Sequence, residues 1–176
     1  VYDDADFSGV LASTSICFDL SIFELFATLN CGGRIILVPN VLALRELDAS
    51  ANVTLVNTVP SAAAELLKLG PLPPSVRTVN LAGEPLSAGL VDQIYANGTV
   101  QRVCDLYGPS EDTTYSTFTQ RVAGGRVTIG RPIRNTRIYI LDEQLQPVPL
   151  GAIGEICIAG AGLARGYLRR ADLTAE

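Results

Sequence analysis

The chain contains no histidine, no methionine and no tryptophan, and aromatic residues of any kind make up 6% of its 176 positions. Without histidine, a Ser-His-Asp triad, a Cys-His pair and any His-ligated metal are excluded within it. Chemistry here must run on carboxylates, hydroxyls, backbone dipoles and a bound cofactor. Charge of one sign is nowhere concentrated: the 13 Lys and Arg are scattered, only Arg169-Arg170 are adjacent, and the net charge is −5. The basic stripe of a nucleic-acid binder is missing, so no nucleic-acid partner is expected. No apolar run approaches the roughly 20 residues that span a bilayer, so no membrane association is expected. The four cysteines, Cys17, Cys31, Cys104 and Cys157, form no C-x-x-C pair of the zinc-binding kind. Their apolar surroundings predict buried, reduced thiols and a cytoplasmic setting. Val1 is not an initiator methionine, and the closing LTAE looks like an interrupted pattern, so an internal piece of a longer protein is expected.

What is present is alternation. Apolar strand-like runs recur about every two dozen residues, at Arg34–Val38, Val53–Asn57, Arg77–Ala82 and Val100–Leu106. Between them, Ser21-x-x-Glu24 has the form of a capping box opening a helix. Its predicted apolar face is Ile22, Phe23, Leu25, Phe26 and Leu29, and Gly32-Gly33 stops it. Further helices are predicted over Ala43–Ser50, from Pro60 to Leu69, and after the N-cap Ser87. Near-continuous apolar strands alternating with helices predict an α/β fold: a parallel sheet with βα crossovers. From Tyr115 onward the pattern becomes short β runs, at Tyr115–Arg121, Arg126–Ile129, Arg137–Leu141 and Glu155–Ala159, with Gly124-Gly125 as a hairpin turn. The expected division is residues 1–128 as an α/β subdomain and 129–176 as the start of a small antiparallel β subdomain.

In open parallel sheets ligands bind at the carboxyl ends of the strands. The residues there are Asn57-Thr58, Ala82-Gly83-Glu84-Pro85 and the segment DLYGPSEDTT from Asp105 to Thr114. That segment offers a ring to stack on a base, hydroxyls for phosphate oxygens and a carboxylate for Mg²⁺, which prefers oxygen ligands; it also reads as a polar turn after a buried strand. Gly83 would let a flat ligand lie against the backbone. Asp19 is a charge set among apolar neighbours in ICFDLSIFELF, either a helix-entry cap or an acceptor for a ligand ammonium group. GAGLARG, residues 160–166, lacks the G-x-G-x-x-G spacing and reads as a glycine-rich turn.

FDLS (18–21), LAGEPLS (81–87), LYGPSEDTT (106–114) and the stretch from Ile129 to Leu168 together resemble the successive core motifs of nonribosomal peptide synthetase adenylation domains, over essentially the whole chain. The resemblance implies formation of an aminoacyl adenylate from MgATP, then transfer to the phosphopantetheine thiol of a carrier domain, with a condensation domain as a further partner. It implies that Asp19 pairs with the substrate α-ammonium. Tyr107 would stack on adenine beside Gly83, Glu84 and Pro85, with Asp105, where Asn is common, near the adenine amino group. Ser110 would bind the α-phosphate, where the family usually has Thr, and Glu111 would bind Mg²⁺. The side-chain pocket would comprise Leu20, Phe23, Asn57, Asn80, Ala82, Leu106, Thr114 and Tyr115, a combination resembling that of alanine-activating domains, with glycine or serine as lesser candidates. The phosphate loop and the catalytic lysine would lie outside the chain. The rival readings are an acyl- or aryl-CoA synthetase, whose substrate has no ammonium group, and a non-catalytic nucleotide-binding remnant.

Overall fold

The computed structural model describes residues 2–175. A seven-stranded sheet runs in the order β2-β1-β3-β4-β5-β6-β7. Strands β1 (Val10–Ala12), β2 (Ile35–Leu37), β3 (Leu55–Thr58), β4 (Thr78–Ala82) and β5 (Arg102–Tyr107) are mutually parallel. Strands β6 (Thr117–Arg121) and β7 (Arg131–Pro132) close one edge antiparallel. A separate antiparallel pair, β8 (Thr136–Leu141) and β9 (Glu155–Gly160), follows. The expected parallel α/β sheet and small antiparallel sheet are therefore both present.

The pleat sorts the strand residues between two faces, because successive side chains alternate. Val56, Val79, Leu81 and Val103 point into the main core, under α3 (Pro60–Lys68) and α4 (Ala88–Tyr95), with Leu66, Val91 and Ile94. The opposite face carries Asn57, Asn80, Ala82, Cys104 and Leu106, placed side by side by the register Asn57↔Asn80↔Cys104 and Ala82↔Leu106. α3 begins with Pro60 in its first turn, and Ser87 Oγ accepts the Leu90 N–H to cap α4, both as the sequence predicts.

The second face is covered by a helical stretch over residues 20–30: α1 (Leu20–Ile22), a π-helical turn (Phe23–Ala27) and α2 (Thr28–Asn30). Here the predicted orientation is reversed. Ser21, Glu24 and Thr28 are buried, whereas Ile22, Phe26 and Leu29 are exposed and Phe23 and Leu25 only half-buried. There is no capping box. Ser21 lies inside the helix and its hydroxyl donates to the Phe18 carbonyl at 2.7 Å, while the Glu24 carboxylate turns away to bind the loop after β1. Polar side chains can face inward because each finds its bond: Thr28 Oγ1 donates to the Glu24 carbonyl at 2.6 Å.

Other expectations also give way. The helix predicted over Ala43–Ser50 is two 3₁₀ turns, Val41–Arg45 and Ala49–Ala51, because Asn40 and Asp48 side chains accept nearby backbone N–H groups and break the run. Residues 126–129 form no strand; β6 ends at a turn through Gly124, and its partner is Arg131–Pro132. The short strand β1, which sits between β2 and β3, escapes sequence notice.

The cysteines are not uniformly buried: Cys17 and Cys31, at the two ends of the 20–30 helical stretch, are exposed, Cys157 is half-buried and Cys104 is buried. Burial pushes the Cys104 thiol up to about 12. Since the thiolate is the nucleophile, a thiol-reactive dye at pH 8 is expected to label Cys17 and Cys31 quickly and Cys104 only after unfolding. Rapid labelling of Cys104 in the folded protein, located by peptide mapping, would contradict this packing.

Candidate functional site

The carboxyl ends of β3, β4 and β5 open on one edge, and the loop after β5 defines it. The Ser116 N–H donates to the Tyr107 carbonyl at 2.7 Å and closes that loop. At Gly108 a Cβ would stand 2.6 Å from the Ser116 nitrogen, so the close approach requires glycine. A 3₁₀ turn, Ser110–Asp112, leads into Thr113 and Thr114 at φ 52° and 74°. Left-handed β-branched residues cost on the order of 1–3 kcal/mol each and persist where surrounding bonds hold them. Thr113 Oγ1 donates to the Gly162 carbonyl at 2.6 Å, and Thr114 Oγ1 to the Asp19 carbonyl at 3.0 Å.

The same loop meets Asp19. Its carboxylate accepts the Ser110 hydroxyl at 2.5 Å. Asp19 precedes α1 but makes no side-chain cap bond, so the helix-cap reading of this residue fails. Glu111 is exposed; the Tyr167 hydroxyl donates to its Oε1 and holds its carboxyl below the usual value. No cluster of three or more His, Cys, Asp or Glu suited to a metal occurs among the described residues. One exposed, ionised carboxylate still fits Mg²⁺, which commonly takes one or two protein carboxylates and fills its shell with phosphate and water.

A cavity and a packed apolar cluster flank this junction. On one side a cavity of about 550 Å³ is lined by Gly83, Glu84, Pro85, Asp105 and Tyr107, with Val127, Thr128 and Ile129 across from them. That volume lies within the usual range for small-molecule sites. Gly83 has φ 81°. The Glu84 carboxylate accepts the Ser61 N–H and hydroxyl at 2.9 and 2.8 Å, fixing the turn to the first turn of α3. Burial raises the Asp105 carboxyl above its usual value, with Arg121 pulling the other way.

On the other side lies a packed cluster of Ala82, Cys104, Leu106 and Tyr115, against Leu20, Phe23 and Tyr2. The Phe23 and Tyr115 ring centroids are 5.6 Å apart. Tyr115 Oη donates to Asn57 Oδ1 at 2.7 Å, and burial raises its pKa despite that bond. Asn57 Nδ2 in turn donates to Glu24 Oε1 at 3.2 Å. Glu24 also accepts from the Ser13 N–H, the Thr14 N–H and the Thr14 hydroxyl, so a fully buried carboxylate is served by donors from two other segments. Tyr2 Oη donates to Asn80 Oδ1 at 3.1 Å, while Asn80 Nδ2 has no partner among the described residues.

The structure thus brings the sixteen sequence-nominated residues to one edge of the sheet in two groups that touch at Asp19, Ser110 and Thr114. Sequence reasoning passes over Tyr2, Glu24, Arg121 and Tyr167 as site residues. Glu24 reads from sequence as a cap; its position amid apolar neighbours, like that of Asp19, is the available signal. The 160–166 segment turns at Ala161-Gly162 and packs on the site loop, with the Ala164 N–H donating to the Glu111 carbonyl at 2.7 Å.

The family model for AMP-binding enzymes matches residues 3–168, and the chain belongs to that family. Within it the chain is of the nonribosomal peptide synthetase adenylation type. It is 60% identical over 178 residues to a linear gramicidin synthase polypeptide of Brevibacillus parabrevis, covering all of this chain and 3% of that protein. It is 49% identical over 179 residues to the AMB antimetabolite synthetase AmbB of Pseudomonas aeruginosa, covering 99% of this chain and 14% of that one. The fold superposes on the adenylation domain AlmE of Vibrio cholerae, solved with glycyl-adenosine-5'-phosphate, with a TM-score of 0.83 at 30% identity, covering 96% of this chain and 34% of that one. The chain therefore spans a small part of the relatives it matches.

Glu24→Gln sets an amide N–H₂ against the N–H donors of Ser13, Thr14 or Asn57, with only the Thr14 hydroxyl able to accept from it, so it is expected to destabilise the fold by about 1–3 kcal/mol. Glu65→Gln, in an exposed pair with Lys68, is expected to cost at most about 0.5 kcal/mol. Urea unfolding of both variants measures the contrast, and equal midpoints would refute the role given to Glu24.

Proposed function

We propose that this chain is an internal part of an adenylation domain that joins a small uncharged amino acid, L-alanine by preference, to the α-phosphate of ATP as aminoacyl-AMP with release of pyrophosphate, then passes the acyl group to the phosphopantetheine thiol of a carrier domain, releasing AMP, in a cytoplasmic synthetase. The observation that carries this reading is the 2.5 Å contact between Ser110 and Asp19. In amino-acid adenylation the new bond joins the substrate carboxylate oxygen to the α-phosphorus, and the ammonium group, on the carbon beside that carboxylate, lies close to the α-phosphate. Their two protein partners must therefore be neighbours, and these two side chains are.

In this reading Asp19 accepts charge-assisted hydrogen bonds from the α-ammonium and so orients the substrate carboxylate. Ser110 donates to an α-phosphate oxygen. Tyr107 stacks on the base, with Gly83, Glu84 and Pro85 along its edge. Glu111 would hold Mg²⁺, which when bound neutralises phosphate charge. The displacement then depends on alignment and charge neutralisation more than on a protein base, which agrees with a chain devoid of histidine. Around the amino-acid side chain, Leu20, Phe23, Leu106 and Tyr115 pack closely and Asn57 is already engaged by Tyr115 and Glu24, which favours a small uncharged substrate. The division at residue 128 and the neighbouring condensation domain belong to the same proposal.

In the complete domain, alanine-dependent ATP–pyrophosphate exchange is expected, and Asp19→Ala should lower kcat/KM by about 10- to 100-fold, the loss of a charge-assisted bond of about 1.5–3 kcal/mol. An Asp19→Ala variant that retains full activity would point instead to a carboxylic-acid ligase without an ammonium group. The 176 residues alone are expected to give no exchange, because the phosphate loop and lysine implied by the resemblance lie outside them.

A further inference from the structure

The nucleobase side of the site is built on an ion pair whose second member no motif contains. Asp105 faces Thr119 in the β5–β6 register, so Arg121, two residues farther along β6, projects from the same face of the sheet. Arg121 Nη1 donates to Asp105 Oδ2 at 2.7 Å and to the Leu86 carbonyl at 3.2 Å. One guanidinium therefore fastens the Asp105 wall of the cavity to the end of the Gly83–Leu86 turn. Arg121 is itself held: its carbonyl accepts the Tyr95 hydroxyl at 2.7 Å, and that hydroxyl accepts the Val103 N–H at 3.1 Å. The side chains are 2% and 10% exposed, so both charges are largely withdrawn from water.

Fold stability gives little reason for such a pair, since replacing a buried ion pair by apolar residues is often neutral or stabilising. Its consequence falls on the cavity. Asp105 lines it, and with Oδ2 taken by Arg121 the oxygen Oδ1 has no hydrogen-bond partner among the described residues. An amide at this position could turn either an acceptor or a donor toward a ligand, whereas a carboxylate can only accept.

We propose that Arg121 is a positioning residue for nucleobase selection. It holds the Asp105 carboxylate charged and fixed, so that Oδ1 accepts from the exocyclic amine of a 6-aminopurine and repels the carbonyl of a 6-oxopurine. The proposal rests on the assignment of this cavity to the nucleotide base.

The test compares ATP with inosine triphosphate in alanine-dependent pyrophosphate exchange by the complete domain, and AMP with inosine monophosphate by calorimetry. The variants are Arg121→Met, Arg121→Lys, Asp105→Asn and the double variant D105N/R121M. Arg121→Met is expected to cut the ATP-to-inosine-triphosphate ratio of kcat/KM by about tenfold or more, a coupling of about 1.4 kcal/mol. The loss should fall on KM for ATP, with kcat at saturation within about threefold of the parent. Arg121→Lys should restore part of the ratio. The double variant, with no buried charge left unpaired, should fold stably and discriminate poorly, which keeps the test intact if Arg121→Met does not fold. Variants that bind AMP over inosine monophosphate as selectively as the parent would overturn the proposal and reduce the pair to a structural one. A parent domain that binds no adenine nucleotide would instead overturn the assignment of the cavity, and the proposal with it.

Discussion

The site depends first on a negative charge that has no salt-bridge partner among the described residues. Glu24 is fully buried, and its carboxylate is answered by four hydrogen bonds from Ser13, Thr14 and Asn57. Burying a carboxylate is tolerable only where donors of this number replace water. Because the donors come from the loop after β1 and from β3, the bond set laces the 20–30 helical stretch to two adjacent strands. Asn57, with its amide fixed by Glu24, offers its carbonyl oxygen to Tyr115. The orientation of the Tyr115 ring, and with it one wall of the cluster formed with Phe23 and Leu106, is thus set from beneath by a fully buried residue.

The two halves of the site use buried polarity differently. Beneath the apolar cluster the chain is Glu24, Asn57, Tyr115, in which the only formal charge is shared among neutral donors. Beside the cavity it is a true ion pair, Asp105 with Arg121, and the charge stands at the cavity wall. The first arrangement shapes an apolar space; the second presents an acceptor. Between them Asp19 and Ser110 meet, where the proposed function places the reacting groups.

Much of this is legible in the amino-acid order. Four of the five parallel strands announce themselves as apolar runs, and Pro60 and Ser87 mark helix starts because backbone chemistry at those positions is local. The motif residues also reach one edge, since parallel strands carry their carboxyl ends to the same side. The errors share a cause. Strand β1 is three residues long, too short for any periodicity. Hydropathy orients the 20–30 stretch wrongly, because it cannot see that Ser21, Glu24 and Thr28 find partners inside while Ile22, Phe26 and Leu29 stay exposed. Asn40 and Asp48 cut a helical pattern through side-chain bonds that compete with the backbone. Arg121 lies outside every motif because its partner is sixteen positions away and adjacent only across the sheet. In each case a specific bond outweighs a general preference.

The alternation along β5 also constrains how such a site can diversify. Asp105 and Leu106 are chain neighbours on opposite faces of one pleat: Asp105 pairs with Arg121 beside the cavity, while Leu106, which also lines that cavity, packs in the cluster with Ala82 and Tyr115. A single inserted or deleted residue within β4 would exchange its faces beyond that point, turning Leu81 toward the Tyr115 cluster and Ala82 toward the main core. Point substitution leaves the pleat in phase. Under the proposed function, a lineage altering its amino-acid choice through these strands is therefore confined to replacement at constant length, while the loops beyond them remain free to grow and shrink.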